Sequence, residues 1–221
     1  MTLEDTAPSK SQLSILLEHY QSGRYDDAEE LALSITKKFP KHQFAWKVIG
    51  VVFKKLGRMH ESLVASQQSV QLAPQDEEAH NSLGNTLKEL GKLEDSEASY
   101  RQAIALKPDF AEAHNNLGIT LQELGRLKEA EVSYTQTIAL KPDYSKAHYN
   151  LGNTLKELGR LEEAEVSLRQ AIMLKPDFTE AHNNLGMILK GLGRLEEAEA
   201  RCKQAIALKP NFAQVHYSLG I

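Results

Sequence analysis

The chain has 221 residues, 41% of them hydrophobic and 25% charged, a composition typical of folded proteins and not of disordered ones. Its net charge of −4 argues against a general attraction to nucleic acid or anionic lipid. A single cysteine excludes an internal disulfide, the start of the chain lacks the apolar core of a secretory signal, and no apolar run approaches the ~20 residues that span a bilayer. We therefore expect a cytoplasmic protein with no membrane partner.

Prolines and glycines mark a repeat of 34 residues along the chain. The prolines that keep this period are Pro40, Pro74, Pro108, Pro142, Pro176 and Pro210. One glycine series is Gly23, Gly57, Gly91, Gly125, Gly159 and Gly193, and the other is Gly50, Gly84, Gly118, Gly152, Gly186 and Gly220. Six periods without an insertion predict an array of repeated structural units.

The period divides the chain into a tail, six repeats and a partial seventh. The tail covers residues 1–8 and is followed by a degenerate capping repeat at 9–42. Five further repeats cover 43–76, 77–110, 111–144, 145–178 and 179–212, and the truncated seventh covers 213–221. We number a position within a repeat as its place, so that Gln43 and Glu77 both occupy place one.

Each repeat has the pattern of two helices. In the repeat 111–144, apolar residues recur at steps of three or four in Ala113, Leu117, Leu121 and Leu124, the period of an amphipathic helix. Gly125 then stands where a left-handed helix end requires glycine. A second helix carries Leu127, Ala130, Tyr134, Ile138 and Leu140 inward, and Pro142 ends it. No strand pattern is found, so we predict an all-α fold.

These residues resemble the tetratricopeptide repeat (TPR) family. The matching features are the closing prolines, the pairs Leu83–Gly84, Leu117–Gly118, Leu151–Gly152 and Leu185–Gly186, the alanines Ala130, Ala164 and Ala198, and Tyr100 and Tyr134. The resemblance implies a right-handed solenoid of antiparallel helix pairs, in which the first helix of each repeat lines a concave groove. The array is most similar to the TPR arms of O-linked GlcNAc transferases and of bacterial TPR-containing transferases.

The two ends of the array depart from the repeat pattern. In the first repeat Leu16 replaces the glycine and polar Gln12 occupies place four, as expected for a capping repeat with one face in water. At the other end, Val215, Leu219 and Ile221 are apolar and no capping helix follows them. This end is expected either to continue into a longer protein or to associate with another copy.

Eight asparagines fall on the face of the first helices that the apolar stripe leaves free. They are Asn81, Asn85, Asn115, Asn116, Asn150, Asn153, Asn183 and Asn184. Asparagine is a mediocre helix former, but its amide offers donors and an acceptor together and can pair with any peptide backbone. We therefore expect these residues to bind a peptide. By resemblance to O-linked GlcNAc transferases, Asn116, Asn150 and Asn184 would hold the backbone of a polypeptide. The alternative is that asparagine is merely copied with the repeat and solvated.

Three lysines complete the expected peptide-binding set. Lys88 and Lys156 occupy place twelve, as do Lys54 and Lys190, and Lys146 occupies place two. Glutamates stand on the same side, so a mixed and solvated face is expected and nucleic acid is not a predicted partner. The two-carboxylate clamp of chaperone-binding TPR proteins is rejected, because Asn81 and Asn150 replace two of its cations.

No residue pattern predicts catalysis, a metal or a cofactor. Five histidines share place four, but equivalent places of adjacent repeats should lie ~10 Å apart, too far to share one ion. These histidines are His80, His114, His148, His182 and His216. In the repeat 43–76 the same place holds Trp46, the aromatic residue that is usual in the family. We expect structural histidines, and a core role for Cys202, since no base stands at a defined spacing from it.

Two functions from different classes fit this sequence. The first is a non-catalytic scaffold that binds an extended or helical peptide in the concave groove. The second is the substrate-recruiting arm of a larger glycosyltransferase or sulfotransferase whose catalytic domain lies outside this chain. Self-association through the exposed end is a third possibility. The partner, and the repeat that sets specificity, do not follow from the sequence.

Overall fold

The computed structural model describes residues 7–210, which form twelve α-helices and contain no strand. The helices are α1 Lys10–Gln21, α2 Tyr25–Lys38, α3 Gln43–Lys55, α4 Met59–Leu72, α5 Glu77–Glu89, α6 Leu93–Leu106, α7 Ala111–Glu123, α8 Leu127–Leu140, α9 Ser145–Glu157, α10 Leu161–Leu174, α11 Thr179–Gly191 and α12 Leu195–Leu208. The predicted all-α helical-repeat fold is confirmed. The partial seventh repeat, with Val215, His216, Leu219 and Ile221, lies outside the described residues.

Glycine and proline set the ends of the helices as the period requires. The glycines between the two helices of each repeat, Gly23 to Gly193, all have a positive φ of 71° to 79°, which a residue without Cβ adopts most easily. The helix α1 begins with a capping box, in which Ser9 Oγ accepts from the Gln12 amide and Gln12 Oε1 accepts from the Ser9 amide. Gln12, the atypical residue at place four, thus caps its own helix.

The helices pack into two compact units, residues 1–113 and residues 114–221. In the N-terminal unit, Leu16, Ile35, Ile49 and Val52 are almost completely buried in one apolar core. In the C-terminal unit, the core between the last two described repeats includes Leu168, Leu185, Ile188 and Leu189. In each unit the paired helices of one repeat also pack on those of the next, so that the core is shared between repeats.

The side chains at places eight and twenty-four, one on each helix of a pair, compensate each other in size: where one is small, the other is larger. A Cβ at Gly84 would lie 2.7 Å from Cε1 of Tyr100, and one at Gly118 would lie 2.6 Å from Cε1 of Tyr134. The first repeat reverses the arrangement, with Leu16 in place eight and Ala32 in place twenty-four, both fully buried. Leu16 is therefore a core residue, and the close approach of the helices elsewhere requires glycine.

Arginines tie consecutive repeats together on the second-helix side. Arg194 binds Glu165 of the preceding repeat at 2.7 Å and Glu197 of its own repeat at 2.6 Å. Arg160 pairs in the same way with Glu131 and Glu163, and Arg58 with Glu29 and Glu61. Each guanidinium uses its planar fork to bridge two carboxylates.

Between residues 7 and 210, no helix combines the length and the apolar character that crossing a bilayer requires.

Candidate functional site

The eight asparagines do not share one exposed face. Asn81, Asn115 and Asn183, all at place five, are only 6%, 3% and 2% exposed. The expectation that place five faces a free surface is therefore wrong for these three residues. The other five, Asn85, Asn116, Asn150, Asn153 and Asn184, are half-buried. At Asn115 the side chain meets Asn150, on the first helix of the following repeat, an effect that the pattern of one helix cannot reveal.

In the C-terminal unit, amides of consecutive first helices bond to one another. The Nδ2 of Asn184 on α11 donates to Oδ1 of Asn153 at 2.7 Å and to the hydroxyl of Tyr149 at 3.2 Å, both on α9. One repeat earlier, Asn150 Nδ2 donates to Asn115 Oδ1 on α7 at 3.2 Å. Asn150 and Asn184, both at place six, are thus held in defined orientations by the preceding first helix.

The same unit contains a polar junction that the sequence reasoning missed. Gln122 occupies place twelve, where four other repeats have lysine. Its Nε2 donates to Glu157 at 2.7 Å, and its Oε1 accepts from the hydroxyls of Tyr134 at 3.1 Å and Thr154 at 3.3 Å. Burial, followed by the charges of Glu123 and Glu157, raises the pKa of Tyr134, which keeps its hydroxyl a donor. The only sequence feature that could have indicated this junction is the glutamine at place twelve, where other repeats have lysine.

The N-terminal unit has an open pocket of about 460 Å³. Its polar lining includes Asn81, Asn85, Lys54 and Glu78. Burial lowers the pKa of Lys54, whose nearest carboxylate, Glu89, is 4.0 Å away. Asn85 accepts a hydrogen bond from the Tyr100 hydroxyl at 2.7 Å, which fixes the amide in the pocket wall.

Lys47 is a second residue that the sequence reasoning passed over. It occupies place five, where three repeats have asparagine, and its Nζ lies 2.7 Å from Glu78 and 3.0 Å from Asp76. Burial alone would lower the pKa of Lys47, but the bonds to Glu78 and Asp76 outweigh it and raise that pKa. Lys47 therefore neutralises Glu78 and links α3 to the start of α5.

The three lysines assigned to the site differ in exposure. Lys146 is exposed, whereas Lys88 and Lys156 are half-buried. Lys88 lies in the N-terminal unit and the other two lie in the C-terminal unit. Their part in binding remains a prediction.

Histidines at place four cap a backbone carbonyl. The Nε2 atoms of His80, His148 and His182 lie 3.0, 2.9 and 2.9 Å from the carbonyl oxygens of Pro74, Pro142 and Pro176, respectively. The indole of Trp46 makes the same bond to Pro40 at 2.8 Å. Because a carbonyl only accepts, Nε2 must carry the proton. These contacts support the structural role expected for the histidines.

The described residues also fit the expected role of Cys202. It is 4% exposed and its Sγ would lie 2.7 Å from a Cβ at Gly186, so it fills the space that the glycine leaves. Burial raises the pKa of its thiol, which opposes a nucleophilic role. Within residues 7–210, no group of three or more His, Cys, Asp or Glu side chains is arranged to hold a metal ion.

Many solved structures have a fold similar to that of this chain. The chain superposes on PilW, described as a widely conserved type IV pilus biogenesis factor, with a TM-score of 0.86 at 21% identity, covering 96% of this chain and 100% of PilW. It superposes on MamA with a TM-score of 0.69 at 25% identity, covering 75% of this chain and 97% of MamA. A third structure is YrrB, described as a TPR protein with an unusual peptide-binding site. The TM-score is 0.70 at 16% identity, and the match covers 88% of this chain and 100% of YrrB. No curated protein matches this sequence significantly.

Family models give the clearest assignment. Models described as "Tetratricopeptide repeat" match residues 13–77, 111–144, 145–178 and 179–212, and one described as "TPR repeat" matches residues 84–125. Together these matches cover most of the chain. The chain belongs to the tetratricopeptide repeat family.

Proposed function

We propose that this chain is a non-catalytic scaffold that binds a peptide segment of a partner protein on the asparagine-bearing face of its first helices. The observation that carries the proposal is the set of half-buried amides at place six of the C-terminal unit, Asn116, Asn150 and Asn184. Two of them, Asn150 and Asn184, are oriented by hydrogen bonds that they donate to the preceding first helix. An amide held in place loses little side-chain entropy when it binds a ligand.

The chemistry of this face suits a polypeptide better than a small metabolite or a nucleic acid. A side-chain amide with free capacity can donate to a peptide carbonyl and accept from a peptide N–H, whatever the side chains of the ligand. The charges of Lys146 and Lys156 in the same unit are balanced by those of Glu157 and Glu180, so the face has no net positive potential to attract a strongly anionic ligand. The net charge of −4 agrees with this and argues against nucleic acid.

A peptide-binding role also agrees with the family. One neighbour of the same fold, YrrB, is described as having a peptide-binding site, although its low identity to this chain supports the fold alone. The face would act in the same way if the chain recruits substrates for an attached transferase. We place the protein in the cytoplasm. Self-association through residues 213–221 is a separate proposal, because these residues lie outside those described.

A selection experiment tests the proposal. A phage-displayed library of random 12-residue peptides is panned on the wild-type chain and on the Asn116→Ala, Asn150→Ala, Asn184→Ala triple variant, after circular dichroism shows equal helicity. We expect peptides to be enriched on the wild type and lost on the variant.

The second helices supply a matched control. Gln136, Gln170 and Gln204 share place twenty-six, so three amides at equivalent places can be removed from the opposite helix of each repeat. Their triple alanine variant should retain the wild-type pool. Equal enrichment on the wild type and on the asparagine variant, or no enrichment on the wild type, would contradict the proposed function.

A further inference from the structure

The asparagines at place six are not equivalent, because their hydrogen-bonding capacity is used to different extents. A side-chain amide has two N–H donors and an oxygen with two lone pairs. Asn184 uses both N–H groups inside the protein, for Asn153 and Tyr149, and its Oδ1 accepts from Asn183 Nδ2 at 3.3 Å. Little capacity remains for a ligand at Asn184, so its role is to join α9 to α11.

Asn150 keeps most of its capacity. It donates one N–H to Asn115, and among residues 7–210 its second N–H and its Oδ1 have no bond. The Oδ1 atom is not sealed in the interior, since it is not among the buried polar atoms that lack a partner. The side chain of Asn150 as a whole is half-buried and so keeps contact with solvent. Asn150 can therefore donate one hydrogen bond to a ligand and accept another.

The difference comes from place nine of the preceding helix. The second N–H of Asn184 meets Asn153, which stands 31 residues before it. The residue 31 positions before Asn150 is Ile119, which is half-buried and has no oxygen to offer. Ile119 stands at the place from which Asn153 bonds Asn184 one repeat later. By this equivalence, isoleucine at place nine leaves the second N–H of Asn150 without a side-chain acceptor and offers an apolar side chain at that position of the face.

We propose that Asn150 and Ile119 form the specificity point of the peptide site, where one peptide unit of an extended partner segment pairs with the Asn150 amide and an apolar side chain of that segment packs on Ile119. This inference rests on the proposed function. It also selects the extended over the helical ligand, because the N–H and C=O groups of a helix are already bonded within the helix. An extended chain leaves them available to a side-chain amide.

The test uses fluorescence polarisation with a labelled peptide from the library selection on the wild type. Asn150→Ala removes two hydrogen bonds and should weaken binding about 10-fold, while Asn184→Ala should change it less than about 3-fold. All measurements are made where circular dichroism shows the variants to be folded. Equal weakening by the two substitutions would overturn the inference.

The place-nine residue supplies reciprocal variants. Ile119→Asn should provide an oxygen for the second N–H of Asn150, weaken binding about 10-fold and abolish the preference for an apolar residue in the selected peptides. Asn153→Ile should release an N–H of Asn184 and not weaken binding. A selected pool without an apolar preference on the wild type would contradict the role of Ile119.

The outcomes separate this inference from the proposed function. If binding is lost in the asparagine triple variant but Asn150 and Asn184 contribute equally, the face binds peptide and only the specificity point is wrong. If the triple variant binds like the wild type, the peptide face itself is wrong.

Discussion

Asn184 and Asn153 join the first helices of two consecutive repeats through a hydrogen bond of 2.7 Å from Nδ2 to Oδ1. The bond links α9 to α11 on the same face that we assign to peptide binding. Asparagines there have two roles, to hold one repeat on the next and to present an amide outward. The number of N–H groups and oxygen lone pairs that each amide leaves unbonded decides which role dominates.

The first prediction concerns the coupling between these two residues. The single variants Asn153→Ala and Asn184→Ala should each lower the free energy of unfolding, and the double variant should lose less than the sum, with a coupling of about 1 kcal/mol. Urea denaturation followed by circular dichroism measures it. Strict additivity would show that the bond does not contribute to the association of the repeats.

The second prediction concerns the glycines that face tyrosines. Gly84→Ala gains about 1 kcal/mol of helix propensity, but its Cβ would lie 2.7 Å from the Tyr100 ring and overpacking costs about 1–3 kcal/mol. We expect a net loss of stability. Tyr100→Ser should cost less in the Gly84→Ala background than in the wild type.

Gly50→Ala is the matched control for that overlap. Its Cβ would meet Ser66 Oγ at 3.1 Å, a contact that rotation of the hydroxyl relieves. We expect thermal denaturation to show unchanged or higher stability. Equal losses for Gly50→Ala and Gly84→Ala would contradict the account of size compensation between places eight and twenty-four.

The third prediction concerns the histidine caps. His80→Phe keeps the ring but removes the bond to the Pro74 carbonyl, and should lower the free energy of unfolding by about 1 kcal/mol. His80→Trp should restore most of this, because Trp46 makes the equivalent bond to Pro40 in the same unit. Chemical denaturation of the two variants compares them, and equal stability would show that the ring, not the hydrogen bond, matters.

The fourth prediction concerns pH. Burial alone would raise the pKa of Glu165, but hydrogen bonds from Arg169 and Arg194 outweigh it and lower that pKa. The ionised carboxylate therefore stabilises the fold above the unfolded-state pKa of about 4.3, and this contribution is lost as pH falls through the lower folded-state pKa. Glu165→Gln should cost about 1–2 kcal/mol at pH 7 and flatten the loss of stability on acidification.

Glu199→Gln provides the control for this substitution. Glu199 pairs with Lys203 at an exposed position of α12, so its removal should leave the stability at pH 7 nearly unchanged. Denaturation curves between pH 3 and pH 7 test both variants. A Glu165→Gln curve parallel to that of the wild type down to the acid limit would contradict the assignment.

The fold could be predicted from the sequence because its signals are local. The spacing of Leu127, Ala130, Tyr134 and Ile138 predicts a second helix, and the structure places α8 at Leu127–Leu140. The position of Gly125 predicts a left-handed residue at the end of the preceding helix, and its φ is 73°. Each of these features depends on neighbours within about one helical turn.

The site could be predicted only in part, because burial at place five and bonding at place six depend on contacts with neighbouring repeats. A pattern that marks Asn115 as facing away from its own apolar stripe does not show that α9 carries Asn150 to its oxygen. The role of Gln122 was missed for the same reason, since Glu157 and Thr154 reach it from the following repeat. Contacts between repeats require the stacking geometry.

The side-chain amide signals of the protein give the most direct test of the central claim. A ¹⁵N-labelled sample is titrated with a peptide selected on the wild type, and the NH₂ signals of asparagines and glutamines are followed by NMR. Binding at the first-helix face should shift the Asn150 signal and leave those of Gln136, Gln170 and Gln204 in place. Shifts confined to the glutamines, with the Asn150 signal unmoved at saturation, would contradict the account.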